Sequence, residues 1–358
     1  MSYVFVNVNK IRNFSIEMFC HHGLSLEDSE TVTDVLLTAD LFGIESHGVQ
    51  RLIRYHNSLT KGQVVTKPNI EIVKETPVSA TIDANQCLGH ISGTYAMNLA
   101  IRKAKETGIG MVAVRNSSHF GIAGYYTSMA LPHHMIGIAT TNTEQIGVPT
   151  FGRRPMIGTN PLAFAMYADP YPFWFDAATT VVTHGKMEVY EKAGKKLPSE
   201  CAIDAQGKEE SDPSEVRRRI RSREMGGILP LGGFGKVHGG HKGYGLSLIS
   251  EICCSILSGG PTCIHMADGS GEEHTSHFFA AIDYGMFGDA SKMEESLSEY
   301  LQEIRDSEKA IGCDRIYTPG EQAWISKEEK LMHGIPLQEA TVQEIINIAQ
   351  SLGLTFVP

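Results

Sequence analysis

No run in this chain stays apolar for the roughly 20 residues that a membrane-spanning helix requires; the longest candidates, around 249–257 and 162–168, fall far short. Basic residues are scarce as well. With 31 Lys and Arg against 41 Asp and Glu, the net charge is −10. That balance repels a phosphate backbone and an anionic bilayer alike, so neither nucleic acid nor membrane is an expected partner. The seven cysteines contain no C-x-x-C pair and leave one unmatched, so reduced thiols are expected rather than a disulfide framework. Cys253 and Cys254 lie in an apolar helical run and read as small core residues. The opening MSYVFVNVNKIRNF lacks a basic cluster leading into a long apolar stretch. A signal peptide is therefore not expected, and a cytoplasmic enzyme is the default.

The familiar nucleotide and hydrolase signatures are missing too. The nearest approach to G-x-G-x-x-G is Gly108-x-Gly110-x-x-Ala113, which follows a helix and enters a strand, the reverse of what a dinucleotide fold needs. There is no G-x-x-x-x-G-K-[ST], no H-E-x-x-H and no G-x-S-x-G. Any nucleotide site must be built another way. What is present is globular material: 358 residues, 42% hydrophobic and 20% charged, enough to offset the entropy of ordering and to form two or three structural units.

Residues 7–66 read as three helices. The first carries Ile11, Phe14 and Met18 at helical spacing and stops near Gly23; the second opens with the capping pattern Ser25-Leu-Glu-Asp28 and stops at Gly43; the third runs from Ser46 to near Gly62. Two adjacent strands (IEIVKE, VSATID) and a helix ending at Gly108 follow. Beyond Gly110, the short apolar strands MVAVR, IGIATT, PLAFAM and FWFDA have connections too short for regular βαβ units, which predicts a mixed sheet. Residues 183–193 read as a helix and 194–240 as a charged, then glycine-rich loop. A helix (KGYGLSLISEICCSIL), a strand (HFFAAID) and three C-terminal helices complete the chain.

Three segments combine residue types suited to chemistry. In the helix expected from Ser46, residues His47, Arg51 and Tyr55 are four apart and share one face. That face joins a group titrating near neutrality to a fork suited to a carboxylate; a surface helix showing these residues by chance is the plain alternative. Asn116-Ser117-Ser118-His119-Phe120-Gly121 follows the strand MVAVR, so His119 lies where α/β proteins gather ligands, unless it only caps a loop. Asp176 ends FWFDA in a similar position, with helix capping as its alternative. Gly239-Gly240-His241-Lys242-Gly243 opens a long helix, and a lysine there suits an anion, or else belongs to a flexible connector. His238/His241 and His274/His277 are spaced i, i+3 but lack an evident third ligand, so no metal is expected.

Taken in order, E-S-H-G-V-x-R-L at 45–52, N-S-S-H-F-G at 116–121, T-N-T-E at 141–144, G-T-N-P-L-A-F at 158–164, G-K-M-E-V-Y at 185–190, H-K-G-Y-G-L at 241–246 and P-G-E at 319–321 resemble the type 2 malate/L-lactate dehydrogenase family. The likeness covers nearly the whole chain and is greatest to malate dehydrogenases, with a longer charged insertion at about 208–240. The resemblance implies an α/β, non-Rossmann fold with a mixed-sheet cofactor domain and a helical substrate and dimerisation domain. It implies NAD or NADP as cofactor, a small 2-hydroxy or 2-keto acid as substrate, and a homodimer. The domains would be 1–117 plus 290–358, and 118–289. By the same resemblance, His119 and His47 are catalytic, Arg51 binds the substrate carboxylate with Ser46 and Tyr55 beside it, and Thr140, Asp176, Ala177, Ala178, Lys242, Gly320 and Glu321 contact the cofactor.

Hydride leaving a hydroxylated carbon requires a base for the hydroxyl proton, and imidazole serves both directions. His119 is expected to exchange that proton, with His47 sharing the task or polarising the oxygen. A second carboxylate, as in malate, needs another cation; Arg54, Lys242 or a residue of a partner subunit are the choices. Alternatives remain: lactate, sulfolactate, ureidoglycolate, diketogulonate or a cyclic imine as substrate, a histidine-rich metallohydrolase, or a catalytically idle binding protein.

Overall fold

The computed structural model describes residues 2–266 and 273–358. Strand β1 (Tyr3–Val6) precedes helices α1 (Val8–His21), α2 (Leu26–Leu41) and α3 (Leu52–Thr60). Strands β2 (Glu71–Glu75) and β3 (Ser79–Asp83) lead through α4 (Gly89–Thr107) to β4 (Ile109–Ser117), and α5 (Ala123–Ser128) leads to β5 (Met135–Thr141). Then come β6 (Leu162–Met166), β7 (Phe173–Ala177), α6 (His184–Lys192), β8 (Ala202–Ile203), α7 (Pro213–Arg221), β9 (Gly227–Ile228) and α8 (Gly240–Glu251). Strand β10 (Thr275–Asp283), helices α9 (Ala290–Asp306) and α10 (Glu321–His333), β11 (Ile335–Gln338) and α11 (Glu339–Ser351) close the chain.

The first helices form where capping and periodicity predict. Ser25 Oγ accepts the Asp28 N–H at 3.1 Å, fixing the start of α2. Helix α1 buries Ile11, Phe14 and Met18, as expected, together with Phe19. Gly108 ends α4 in the left-handed region at φ +86°, which a side chain would strain.

A seven-stranded sheet, ordered β2-β3-β4-β10-β5-β6-β7, forms the centre. Only β3 and β4 run parallel; the other neighbours are antiparallel, giving the mixed sheet that the short connections require. Its two faces are covered differently. Phe279 of β10 meets Tyr126 of α5 on one face, while Thr140 of β5 meets Ser250 of α8 on the other. The sheet takes β2, β3 and β4 from before residue 117 and the remaining four strands from after it.

Two expectations change, and one pairing is added. The helix expected to run unbroken from Ser46 is instead two single 3₁₀ turns, Glu45–His47 and Val49–Arg51, ahead of α3. Asp40 is the cause: its carboxylate accepts the Val49 N–H at 2.7 Å and fills the space over Gly48, where a Cβ would lie 1.9 Å from Asp40 Oδ1. The supposed loop at 194–240 holds α7 and the β8/β9 pair. Asp212 caps α7 with Pro213 in its first turn, and Val216, Leu197, Cys201 and Ile228 close a second small core with Met187 and Ile146. Finally, β1 pairs antiparallel with β11, tying the two ends of the chain together. Sequence periodicity misses these strands because each has only four residues.

Candidate active site

The broken 45–51 turn and the loop after β4 bring two imidazoles together. The rings of His47 and His119 stack with centroids 5.5 Å apart and planes 18° from parallel. Ser46 Oγ lies 2.9 Å from His47 Nδ1, and Arg51 Nε donates to the Ser46 carbonyl at 2.6 Å. Because Arg51 folds back onto Ser46, the predicted set His47, Arg51, Ser46 and Tyr55 does converge, although not as one helical face.

Tyr55 reaches across from α3, its Oη 2.7 Å from His119 Nδ1. The Gly121 N–H also points at that nitrogen, at 3.3 Å, and a backbone N–H can only donate. His119 Nδ1 is therefore an acceptor, the Tyr55 hydroxyl donates to it, and the neutral ring carries its hydrogen on Nε2. Burial, then the Arg51 and Arg54 charges, push His47 down to about 4. Burial also takes His119 well below its usual value, with Arg54, His47, His90 and Arg51 acting in the same direction. Both rings are thus neutral at physiological pH, ready to accept a proton. The Tyr55 phenol is pushed upward by burial and stays protonated.

Two participants escaped sequence reading. Glu273 Oε2 accepts the His119 N–H at 2.7 Å and Oε1 accepts from Arg54 Nη2 at 2.5 Å. It is the residue before His274, and no local pattern marks it. His90, on the first turn of α4, is fully buried with its ring 4.9 Å from that of Tyr55 and 6.4 Å from that of His119. Neither of its ring nitrogens has a hydrogen-bond partner among the described residues.

The residues expected at the cofactor gather along the far strands of the sheet. Register places Thr140, Leu162 and Ala177 in one row across β5, β6 and β7. The Thr140 hydroxyl is already committed, donating to the Pro161 carbonyl at 2.7 Å and meeting Ser250 Oγ at 2.5 Å. Asp176 accepts the Gly124 N–H at 2.7 Å, and burial raises its carboxyl to about 6 against those backbone donors. Ala177 and Ala178, at the end of β7, are partly exposed.

The 319–321 turn packs on the same strand. Trp174 N–H donates to the Pro319 carbonyl at 3.1 Å, and a Cβ on Gly320 would lie 2.6 Å from the Trp174 Cβ. Glu321 is buried, paired with Arg315 and accepting the Thr318 N–H at 3.1 Å. Exposed Lys242 stands in the first turn of α8, joined to this region through Leu231, whose N–H donates to the Thr179 carbonyl at 2.9 Å while its backbone abuts Gly243. The chain after β7 then returns over the histidine turn: a Cβ on Gly185 would sit 3.1 Å from Ser46 Cβ and 3.6 Å from Arg51 Nη2.

His277, one of the i, i+3 histidines, uses both ring nitrogens on Thr141 Oγ1 at 2.7 Å and Ser117 Oγ at 2.9 Å. Among the described residues no three His, Cys, Asp or Glu side chains converge as metal ligands, and no helix is long and apolar enough to cross a membrane.

Known proteins are similar to this chain over nearly its whole length. Residues 6–346 match the family described as malate/L-lactate dehydrogenase. A malate dehydrogenase from Pyrococcus abyssi is 41% identical over 355 residues, 99% of this chain and 96% of that one. An L-sulfolactate dehydrogenase from Methanocaldococcus jannaschii is 37% identical over 95% of this chain and 94% of its own. The crystal structure of malate dehydrogenase from Entamoeba histolytica superposes with a TM-score of 0.97 at 34% identity, covering 100% of both chains. The two-histidine, one-arginine cluster thus stands in a fold held in common with enzymes that oxidise CH–OH groups, and the chain belongs to the malate/L-lactate dehydrogenase family of oxidoreductases.

Proposed function

We propose that the chain interconverts malate and oxaloacetate with NAD or NADP. The observation that carries this reading is the stacked His47/His119 pair with Arg51 held on the same turn; the malate dehydrogenases among its relatives support the choice of acid. Oxidation removes a hydride from the carbinol carbon and a proton from its oxygen. The nicotinamide ring, when bound, supplies the hydride acceptor. Proton handling falls to the chain: Tyr55 Oη accepts the substrate's hydroxyl proton as its own proton passes to His119 Nδ1, so His119 holds the proton and returns it by the same path in reduction. His47 polarises the same oxygen. Arg51 spends Nε on Ser46, which leaves its two terminal nitrogens to clamp the C1 carboxylate.

The residues present suit a nicotinamide dinucleotide. The N-terminus of α8 has no side-chain cap, and Lys242 stands in its first turn, a combination suited to a diphosphate. Thr140, Asp176, Ala177, Ala178, Gly320 and Glu321 would border the remainder of the cofactor. In this reading the cofactor is held without a Rossmann unit, consistent with the single parallel pair in the sheet. Residues 1–117 and 290–358 then supply mainly acid–base and carboxylate-binding groups and 118–289 mainly the cofactor side, with His119 just past the seam. A homodimer is part of the proposal. Leu246, Ile249, Ile252, Ile256 and Leu257 leave an apolar stripe 39–60% exposed along α8 and the turn after it, a surface suited to a second copy.

Following the reduced-nicotinamide absorbance with both cofactors, against oxaloacetate, pyruvate, sulfopyruvate and ureidoglycolate, tests the reading. The highest kcat/KM is expected for oxaloacetate, and sedimentation should give twice the 39.2 kDa chain mass. A higher kcat/KM for another acid would reassign the substrate, and no turnover of any would end the proposal.

A further inference from the structure

Among the described residues, Arg54 with Glu273 is a charged pair beside the histidines that the proton chemistry leaves unused. Arg54 follows Arg51 by three residues, so both guanidinium groups project from neighbouring positions of one helical turn. Its partner Glu273 holds the His119 backbone N–H, which sets Arg54 beside the histidines, and its charge acts on both His47 and His119. The side chain is 40% exposed, and among the described residues only its Nη2 holds a hydrogen bond, to Glu273. The rest of its donor fork is open. Glu273 is 28% exposed and is also anchored, through Oε2, to the His119 N–H. An acid that could simply neutralise a surface arginine is thus fixed by the same backbone that carries the catalytic imidazole.

We propose that Glu273 is a specificity-determining residue for the far end of the substrate. This rests on the reading of Arg51 as the C1 clamp. With C1 on Arg51 and the reacting carbon at the imidazoles, a second carboxylate meets the open donors of Arg54 and, beside them, the negative charge of Glu273. Arg54 attracts the distal group and Glu273 opposes it. The pair sets how far the enzyme favours a dicarboxylic 2-keto acid over a monocarboxylic one, while preventing an unpaired guanidinium from standing next to His119 in the empty site.

The test compares oxaloacetate with pyruvate in the full-length enzyme, using whichever nicotinamide it accepts. Glu273→Gln removes the charge and keeps one acceptor oxygen, enough for the His119 backbone N–H, while giving up the hydrogen bond to Arg54. The ratio of kcat/KM for oxaloacetate to that for pyruvate should rise on the order of 3- to 10-fold, chiefly through KM, and the rise should shrink at high salt. Arg54→Met should lower the same ratio roughly 10- to 100-fold by deleting a charged hydrogen bond to the distal group. An unchanged ratio in Glu273→Gln, or in Arg54→Met should Glu273→Gln not fold, would overturn the proposal while leaving the dehydrogenase reading intact. A wild-type enzyme inactive on every 2-keto acid would remove both.

Discussion

Two nearly inaccessible carboxylates, one under each half of the site, are treated in opposite ways. Glu251, at the end of α8, is surrounded by donors: Asn142 Nδ2 at 3.3 Å, Ser255 Oγ at 2.9 Å and the Cys263 N–H at 2.8 Å on Oε1, and Asn160 Nδ2 at 2.9 Å on Oε2. The Asp40 carboxyl, beneath the histidine turn, accepts one hydrogen bond among the described residues, from Val49. Burial raises its carboxyl to about 7, with the Val49 N–H and Lys330 opposing and Glu45 assisting. In the half proposed to hold the cofactor the carboxylate itself is saturated with donors, which stabilises one geometry, while the hydroxyls of Ser247 and Ser276 beside it find no partner among the described residues. The acid–base half is under-satisfied. It keeps polar groups with spare capacity, including the unpartnered ring nitrogens of His90, as a site that must exchange protons requires.

If that contrast is right, damage to the two halves should appear in different measurements. His119→Asn should lower kcat by roughly 10²–10⁴-fold while shifting the melting temperature less than a lesion at Glu251 does. Stopped-flow turnover and a thermal melt on one preparation check both statements. The pH profile sharpens the point. Oxidation needs a neutral imidazole, and burial holds both rings below the ordinary histidine range. The acid limb of kcat/KM for the hydroxy acid should accordingly lie below about pH 6.5.

The converse lesion is Glu251→Ala. It strands the amide groups of Asn142 and Asn160, the Ser255 hydroxyl and the Cys263 N–H in the interior. A loss of about 3–5 kcal/mol is expected, or roughly 4–7 °C in melting temperature for a chain of this size. A melt within 1–2 °C of wild type would show that the network is ornamental and that the contrast between the halves is false.

The same contrast explains what could be read in advance. Asn142 and Asn160 sit in T-N-T-E and G-T-N-P, segments noticed as resemblance motifs; their side chains serve the buried glutamate rather than a ligand, which no spacing reveals. Elements set by local chemistry were legible: the Ser25 cap, the Gly108 stop, and the apolar strands of the mixed sheet. Features set by distant groups were not. The break at Gly48 depends on Asp40, eight residues upstream, and helical spacing of His47, Arg51 and Tyr55 suggested a continuous face that the buried carboxylate forbids. Glu273 reaches His119 across 154 positions of chain. The 194–240 segment looked like a loop because its apolar residues are sparse, yet few are needed when Met187 and Ile146 complete their core.

The smallest effect belongs to Asp40→Asn, and its sign decides whether the under-satisfied acid is real. A carboxyl whose folded value is about 7 binds its proton more tightly in the native state than in the unfolded chain, where it titrates near 3.8. Between those values the native protein holds more protons, so stability contributed by this group is complete below about pH 4 and declines as pH rises towards 7. The neutral amide of Asn cannot lose a proton. The variant should therefore lack this decline, narrowing the difference in unfolding free energy between pH 4 and pH 7 by up to about 3 kcal/mol relative to wild type. Denaturant titrations at four or five pH values measure it. A parallel pair of curves would mean that Asp40 is ionised across the range and as well stabilised as Glu251, and the distinction between the two halves would then have to rest on the histidines alone.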